Sequence, residues 1–289
     1  VRHTLIALVA LGALSACAVR ASDPAPAPEL TAAQLDRLER AEAGLVRTCM
    51  AGHGFRYWPA PPAGDEEKYH ADFVLDDVAW ARVHGYGSRS PRVVRARQQR
   101  NPNQVYVESL SGARRAAYAA ALDGTSADGV LTVRLPTGAT AATPRGGCRA
   151  TAQQRLYGDR ETWFRVSGVA MNLTPLWVPD LVGDPRFGTA LTAWSACMRR
   201  AGHSYADPQE VRAALPALTE GLTEAQARAA ESGLAVTEAR CARDVALADT
   251  ARALKRVYLA RVSARYRTEL AAYGRLQREA LARADRARG

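Results

Sequence analysis

The chain has 289 residues, 47% of them hydrophobic and 24% charged, with a formal net charge of +10 at neutral pH. That length suffices for one large or two small domains with real cores, and no apolar run approaches the roughly 20 residues a membrane-spanning helix needs. All of its 39 basic residues except Lys68 and Lys255 are arginine, a skew expected of a GC-rich genome, so arginine content is poor evidence for nucleic-acid binding.

The chain opens with Arg2 and His3, then an apolar run from Leu5 to Leu14 that ends in Leu14-Ser15-Ala16-Cys17. A short basic start, an apolar stretch and small residues before a cysteine have the layout of a lipoprotein signal peptide, here residues 1–16. The cleaved chain is expected to carry a diacylglyceryl group on Cys17 and a fatty acyl chain such as palmitate on its new amino terminus; two or more such chains anchor stably. Residues 17–29 are rich in proline and alanine, as in an extended tether. These features predict an extracytoplasmic protein held by lipid on the outer face of the cytoplasmic membrane.

Folding is expected from Leu30, where Thr31 and Gln34 form a capping-box pattern and Leu35, Leu38, Leu45 and Val46 trace one helical face up to Cys49. There the sequence reads Cys49-Met50-Ala51-Gly52-His53-Gly54-Phe55-Arg56-Tyr57. It aligns without a gap on Cys197-Met198-Arg199-Arg200-Ala201-Gly202-His203-Ser204-Tyr205. The shared pattern, Cys-Met-x-x-x-Gly-x-x-Tyr, has proline close behind in both copies and a helix in front; Asp184-Pro185 opens the second helix. Gly54 and Gly202 suit a left-handed helix stop. The chain therefore reads as two related halves, residues 30–160 and 184–289, joined by a connecting segment, 161–183.

Ser109 to Leu122 is a helical pattern closed by Asp123-Gly124, Val130 to Leu135 alternates as one short strand, and Gly138 to Gly147 is a small-residue loop. Cys148 and Cys241 each sit in a helical pattern, and Thr223 with Gln226 caps another helix. From Thr237 to about Leu281 no proline intervenes. Apolar residues there recur at helical spacing, predicting one long amphipathic helix whose last ten or so residues stand free. From Ala242 to Gly289 there are 12 basic and 5 acidic residues, so this helix concentrates the excess charge; an anionic membrane face or acidic wall polymer is its natural counterpart.

The four cysteines beyond Cys17 are Cys49, Cys148, Cys197 and Cys241, which in an oxidising compartment default to disulfides. Three connectivities are open on spacing alone. If the halves are equivalent, the simplest pairing joins Cys49 to Cys148 and Cys197 to Cys241.

Catalytic signatures are mostly absent: there is no Gly-x-Ser-x-Gly elbow, phosphate loop or His-Glu-x-x-His. The acids of Asp65-Glu66-Glu67 and Asp76-Asp77 read as a solvated face. A zinc site from Cys49 and His53, or Cys197 and His203, is disfavoured by the compartment and by the histidines' non-equivalent repeat positions. Asp123 to Gly129 begins like a calcium loop, but its twelfth position is Arg134, not the bidentate glutamate. His70 and His84 flank Trp80 and read as surface or core histidines. Tyr57, Trp58, Trp177, Trp194, His203 and Tyr205 are the candidate lining of a ligand groove between the halves, against core packing as the plainer alternative.

Leu14-Ser15-Ala16-Cys17, the twice-used motif, Asn101-Pro102 leading into Ala113-Arg114-Arg115-Ala116-Ala117-Tyr118, and Gly147-Cys148 leading to Leu156-Tyr157-Gly158-Asp159 are similar to a family of uncharacterised secreted lipoproteins of actinobacteria. The likeness spans most of residues 30–270, and its motifs are structural, so it carries over no catalytic residue. The shorter cysteine-to-cysteine segment of the second half departs from a strict repeat.

The expectation is a mainly α-helical protein of two disulfide-stapled halves with at most a short strand or hairpin. Its role is expected to be non-catalytic binding, without cofactor, metal or nucleic acid. The membrane is met through lipid at Cys17, and an envelope protein or anionic wall polymer through the groove or the basic C-terminal helix. The alternatives are a cell-envelope hydrolase or transferase using carboxylates and His203, and a solute-binding lipoprotein.

Overall fold

The computed structural model describes residues 29–60, 74–87 and 90–286. The signal peptide, Cys17, most of the tether, Asp65-Glu66-Glu67 and His70 lie outside them. The fold is mainly helical, with one two-stranded antiparallel hairpin and two disulfides. No helix among the described residues is long and apolar enough to cross a membrane.

Helix α1, Ala32–Gly52, starts where expected: the Thr31 N–H donates to Gln34 Oε1 at 2.8 Å and the Gln34 N–H donates back to Thr31 Oγ1 at 3.3 Å. Four short helices follow, α2 Val78–His84, α3 Pro91–Gln99, α4 Pro102–Ser109 and α5 Gly112–Asp123. The helix expected over Ser109–Leu122 is therefore confined to α5, because Ser111 caps it afresh through the Arg114 N–H. Strand β1, Val130–Arg134, pairs with β2, Thr140–Pro144, in a register that sets Val130 opposite Pro144 and Arg134 opposite Thr140. Alternation predicted β1, but β2 lies in the small-residue stretch read as loop. Its side chains carry little pattern, and it is held by pairing and by Arg160, whose guanidinium donates to the Pro144 carbonyl at 2.9 Å.

Then come α6 Cys148–Tyr157, α7 Arg160–Ala170, α8 Thr174–Val182, α9 Pro185–Arg200, α10 Pro208–Leu218 and α11 Glu224–Asp244. The single helix expected from Thr237 to Leu281 is instead three: the end of α11, then α12 Leu247–Arg265 and α13 Arg267–Arg286. The first break is at Ala246, the only non-glycine among the described residues with positive φ, 54°. The turn sinks Leu247 completely into the core. The second is at Tyr266, which leaves helical geometry with φ −109° and ψ 26°.

The disulfides join Cys49 to Cys148 and Cys197 to Cys241, with Cα–Cα separations of 5.5 and 5.6 Å, the pairing that equivalence of the halves favours. One clamps α1 to α6, the other α9 to α11. Three apolar clusters form the interior: one under α1, α5 and α6 around Met50, one largest around Trp194, Met198 and Leu254, and one between α1, α6, α7 and α13. In the last, Tyr157, Trp163 and Tyr273 stack at 3.6 and 5.2 Å between ring centres.

Packing crosses between residues 30–160 and 184–289: α2 lies on α11, and α13 returns across α1, α6 and α7. The last ten residues do not stand free as expected, for Leu276, Ala280, Leu281 and Ala284 are buried there. Ala280 and Ala284 there form a close-packing face.

Candidate functional site

Both copies of the repeated motif form the same local structure. Met50 and Met198 are fully buried at the last turns of α1 and α9. Gly54 and Gly202 adopt φ of 75° and 88°. That left-handed turn lets the Phe55 N–H donate to the Met50 carbonyl at 3.0 Å and the His203 N–H to the Met198 carbonyl at 2.9 Å. After the turn the copies diverge. Phe55 is buried edge-on to Tyr118 at 5.4 Å, beneath the Arg114 guanidinium at 4.5 Å. The equivalent His203 stays half-exposed, with its ring 6.4 Å from that of Tyr205.

Behind the first copy the chain runs through Tyr57 and Trp58 along α4. Asn103 fastens it at both sides: the Trp58 N–H donates to Asn103 Oδ1 at 2.9 Å, and Asn103 Nδ2 donates to the Trp58 carbonyl at 2.7 Å. Asn103 is itself set by the turn that starts α4, where Asn101 Oδ1 accepts its N–H. The half-buried indole of Trp58 meets Tyr106 edge-on at 5.6 Å.

Trp58 and Tyr57 face a groove of about 1080 Å³ between the start of α4, the flank of α5 and helix α3. Among the described residues six guanidinium groups line it, Arg92, Arg97, Arg100, Arg115, Arg149 and Arg228, against three carboxylates, Glu39, Glu108 and Glu224. Helix α3 is located by the second half of the chain, since buried Glu231 of α11 accepts the Ser90 hydroxyl at 2.8 Å and Arg92 Nη2 at 3.4 Å. His84, stacked on Trp80, also reaches the groove.

A second recess of about 330 Å³ shares Glu39, Tyr57 and Arg149 with the groove and has Glu42 in its wall. Gln153 Nε2 and the Tyr157 hydroxyl donate to the two oxygens of Glu42 at 3.3 and 3.2 Å. Burial pushes the Glu42 carboxyl above its ordinary range, and these hydrogen bonds and Arg149 offset only part of that.

The six residues expected to line one groove are not brought together. Tyr57 and Trp58 line it; Trp177 and Trp194 are 5% and 0% exposed in the largest core cluster, where Trp194 Nε1 donates to the Glu238 carbonyl. That is the plainer alternative, apolar rings taken into the core. His203 and Tyr205 sit at the second motif, where the Tyr205 carbonyl accepts the Ser195 hydroxyl at 2.7 Å.

The heads of Cys49, Cys148 and His53 lie within 4.8 Å of one another, but the two sulfurs are bonded to each other and offer no thiolate. Asp77 caps α2 through the Trp80 N–H, and Asp76 binds Arg252 at 2.7 Å, so both acids hold structure.

Sequence reasoning missed the arginines of α3 and the partners of Glu42. The spacing of Arg92, Arg97 and Arg100 was the available signal, masked by a composition in which nearly every base is arginine. Compared with protein-family models, curated proteins and solved structures, the chain matches none.

Proposed function

We propose that this is a lipid-anchored binding protein of the cell envelope, held through Cys17 on the outer face of the cytoplasmic membrane and working through the Trp58 groove without catalysis. The groove carries this reading: a concave surface whose aromatic wall is fixed by Asn103 and whose rim is rich in guanidinium groups. The paired cysteines support an oxidising compartment, and Leu14-Ser15-Ala16-Cys17 supports the anchor.

The test is metabolic labelling with palmitate, together with a photo-crosslinking amino acid placed at Gln104 in the groove. Expected are label on the wild type, its loss in Cys17→Ser, and an envelope component crosslinked from Gln104. An unlabelled wild-type chain removes the anchor, and a groove that crosslinks to nothing removes the binding role.

A hydrolase or transferase reading has one specific observation in its favour, the Glu42 carboxyl raised by burial beside the groove. It stands second because both oxygens of Glu42 are already engaged by Gln153 and Tyr157.

A further inference from the structure

The ligand class of the groove follows from its charge, its walls and the ring of Trp58, and the inference rests on the groove being the working surface. Charge comes first. Several rim arginines are partly satisfied: Arg92 by Glu231 and Glu224, Arg228 also by Glu224, Arg149 by Asp123, and Arg115 by the Glu108 and Leu110 carbonyls. Each guanidinium has five N–H donors, so such contacts leave others for a ligand. Arg100 is exposed and has no acidic partner among the described residues. With six cations against three anions among the described residues of its lining, the groove is complementary to a ligand bearing several oxyanions, the groups that guanidinium forks hold best.

The walls decide what carries those oxyanions. They are built from α1, α3, α4 and α5 with side chains of α2, α6 and α11, and from the segment 57–60, where Asn103 takes up both backbone groups of Trp58. No strand lines the groove among the described residues, so an extended peptide finds no edge on which to add as a strand. A volume of about 1080 Å³ exceeds that of most single small-molecule sites, roughly 300–1,000 Å³, and suits several linked units. Trp58 supplies a rigid ring, clamped through its own backbone by Asn103, on which the C–H face of a sugar can lie. We infer that the groove binds a linear acidic glycan, its sugar rings against Trp58 and its carboxylate or phosphate groups on Arg100 and the neighbouring guanidiniums.

The full chain, purified in detergent, is titrated with hexagalacturonate, a phosphorylated mannose oligosaccharide, neutral maltohexaose and hexa-aspartate. Binding is followed by calorimetry and tryptophan fluorescence. At least one acidic oligosaccharide should bind about tenfold or more tighter than maltohexaose and hexa-aspartate. Its affinity should fall as NaCl is raised toward about 1 M, where the Debye length is about 3 Å. Preference for the uronate or the phosphate then identifies the oxyanion. Arg100→Glu, an exposed change, should weaken that binding about tenfold, Trp58→Phe should remove its fluorescence response, and Arg240→Glu, exposed on α11 and outside the groove lining, should do neither.

Equal binding of the neutral glycan, equal or tighter binding of hexa-aspartate, or no binding by either acidic glycan overturns the inference. So does indifference to both groove variants. If the acidic glycans fail while the Gln104 crosslink still captures an envelope component, the ligand class falls and the groove's binding role stands; if both fail, both fall.

Discussion

Ala246 occupies a backbone region that costs an L-residue with a Cβ roughly 1–2 kcal/mol, and it does so to turn fully buried Leu247 into the core. Ala246→Gly should therefore raise stability by up to about 1 kcal/mol in urea unfolding, and a β-branched residue there should lower it; a destabilised glycine variant would show that the break is not strained. Nothing in the residues around 246 announces this break, since alanine is the best helix former and no glycine or proline stands nearby. By contrast Gly54, Gly202 and the caps at Thr31, Asp184 and Thr223 were legible because their side chains, or lack of one, act within a single turn. Glu42 gives a second expectation. Its carboxyl is raised by burial, so the folded state holds its proton more tightly than the unfolded chain does. The stability it contributes is full below the ordinary carboxylate range and is lost as pH rises through the raised value. Glu42→Gln should remove that slope from thermal melts taken at rising pH above the ordinary carboxylate range; parallel pH dependence of melting for the two proteins would contradict it.

Among the elements, α12 and α13 divide the basic tail between them. On α13 part of the charge is spent within the protein: Arg275 and Arg283 bind Glu279, Arg283 also donates to the Leu156 carbonyl, and Asp285 takes Arg37 of α1. On α12 and at its junction, Arg256, Arg261, Arg265 and Arg267 are exposed and meet no acid among the described residues; Arg261 lies 5.1 Å over the Tyr258 ring. Changing these four to glutamine should weaken association with isolated envelopes in a salt-dependent way, by about 1 kcal/mol per charge near an anionic surface. Unchanged pelleting at low salt would confine binding to the groove. Helix periodicity showed this arginine face, but it could not show which turns would be covered. That depended on small residues of α13 meeting α1 across more than two hundred positions of chain.

At the scale of the whole molecule the two disulfides close loops of 99 and 44 positions. In the chain-entropy model their loss costs about 4–5 and about 4 kcal/mol. Paired serine variants should each unfold at clearly lower denaturant, the Cys49–Cys148 variant slightly the lower, and equal midpoints with the wild type would show that packing alone holds the fold. The fold class, the pairing and the motif geometry were legible because each follows from a repeat within the sequence. Half of the groove was legible too, through Tyr57 and Trp58. Its other wall was not, because α3 is set by Glu231 from the far half, a contact between residues with no shared pattern.

The return of α13 brings the two ends of the fold together, with Asp285 3.6 Å from Arg37 in the second turn of α1. Any pull on the chain ahead of α1 would therefore enter the protein where α13 is fastened, and the final turns of α13 act as a buckle on the strap. A domain fused after α13 would emerge beside the start of α1.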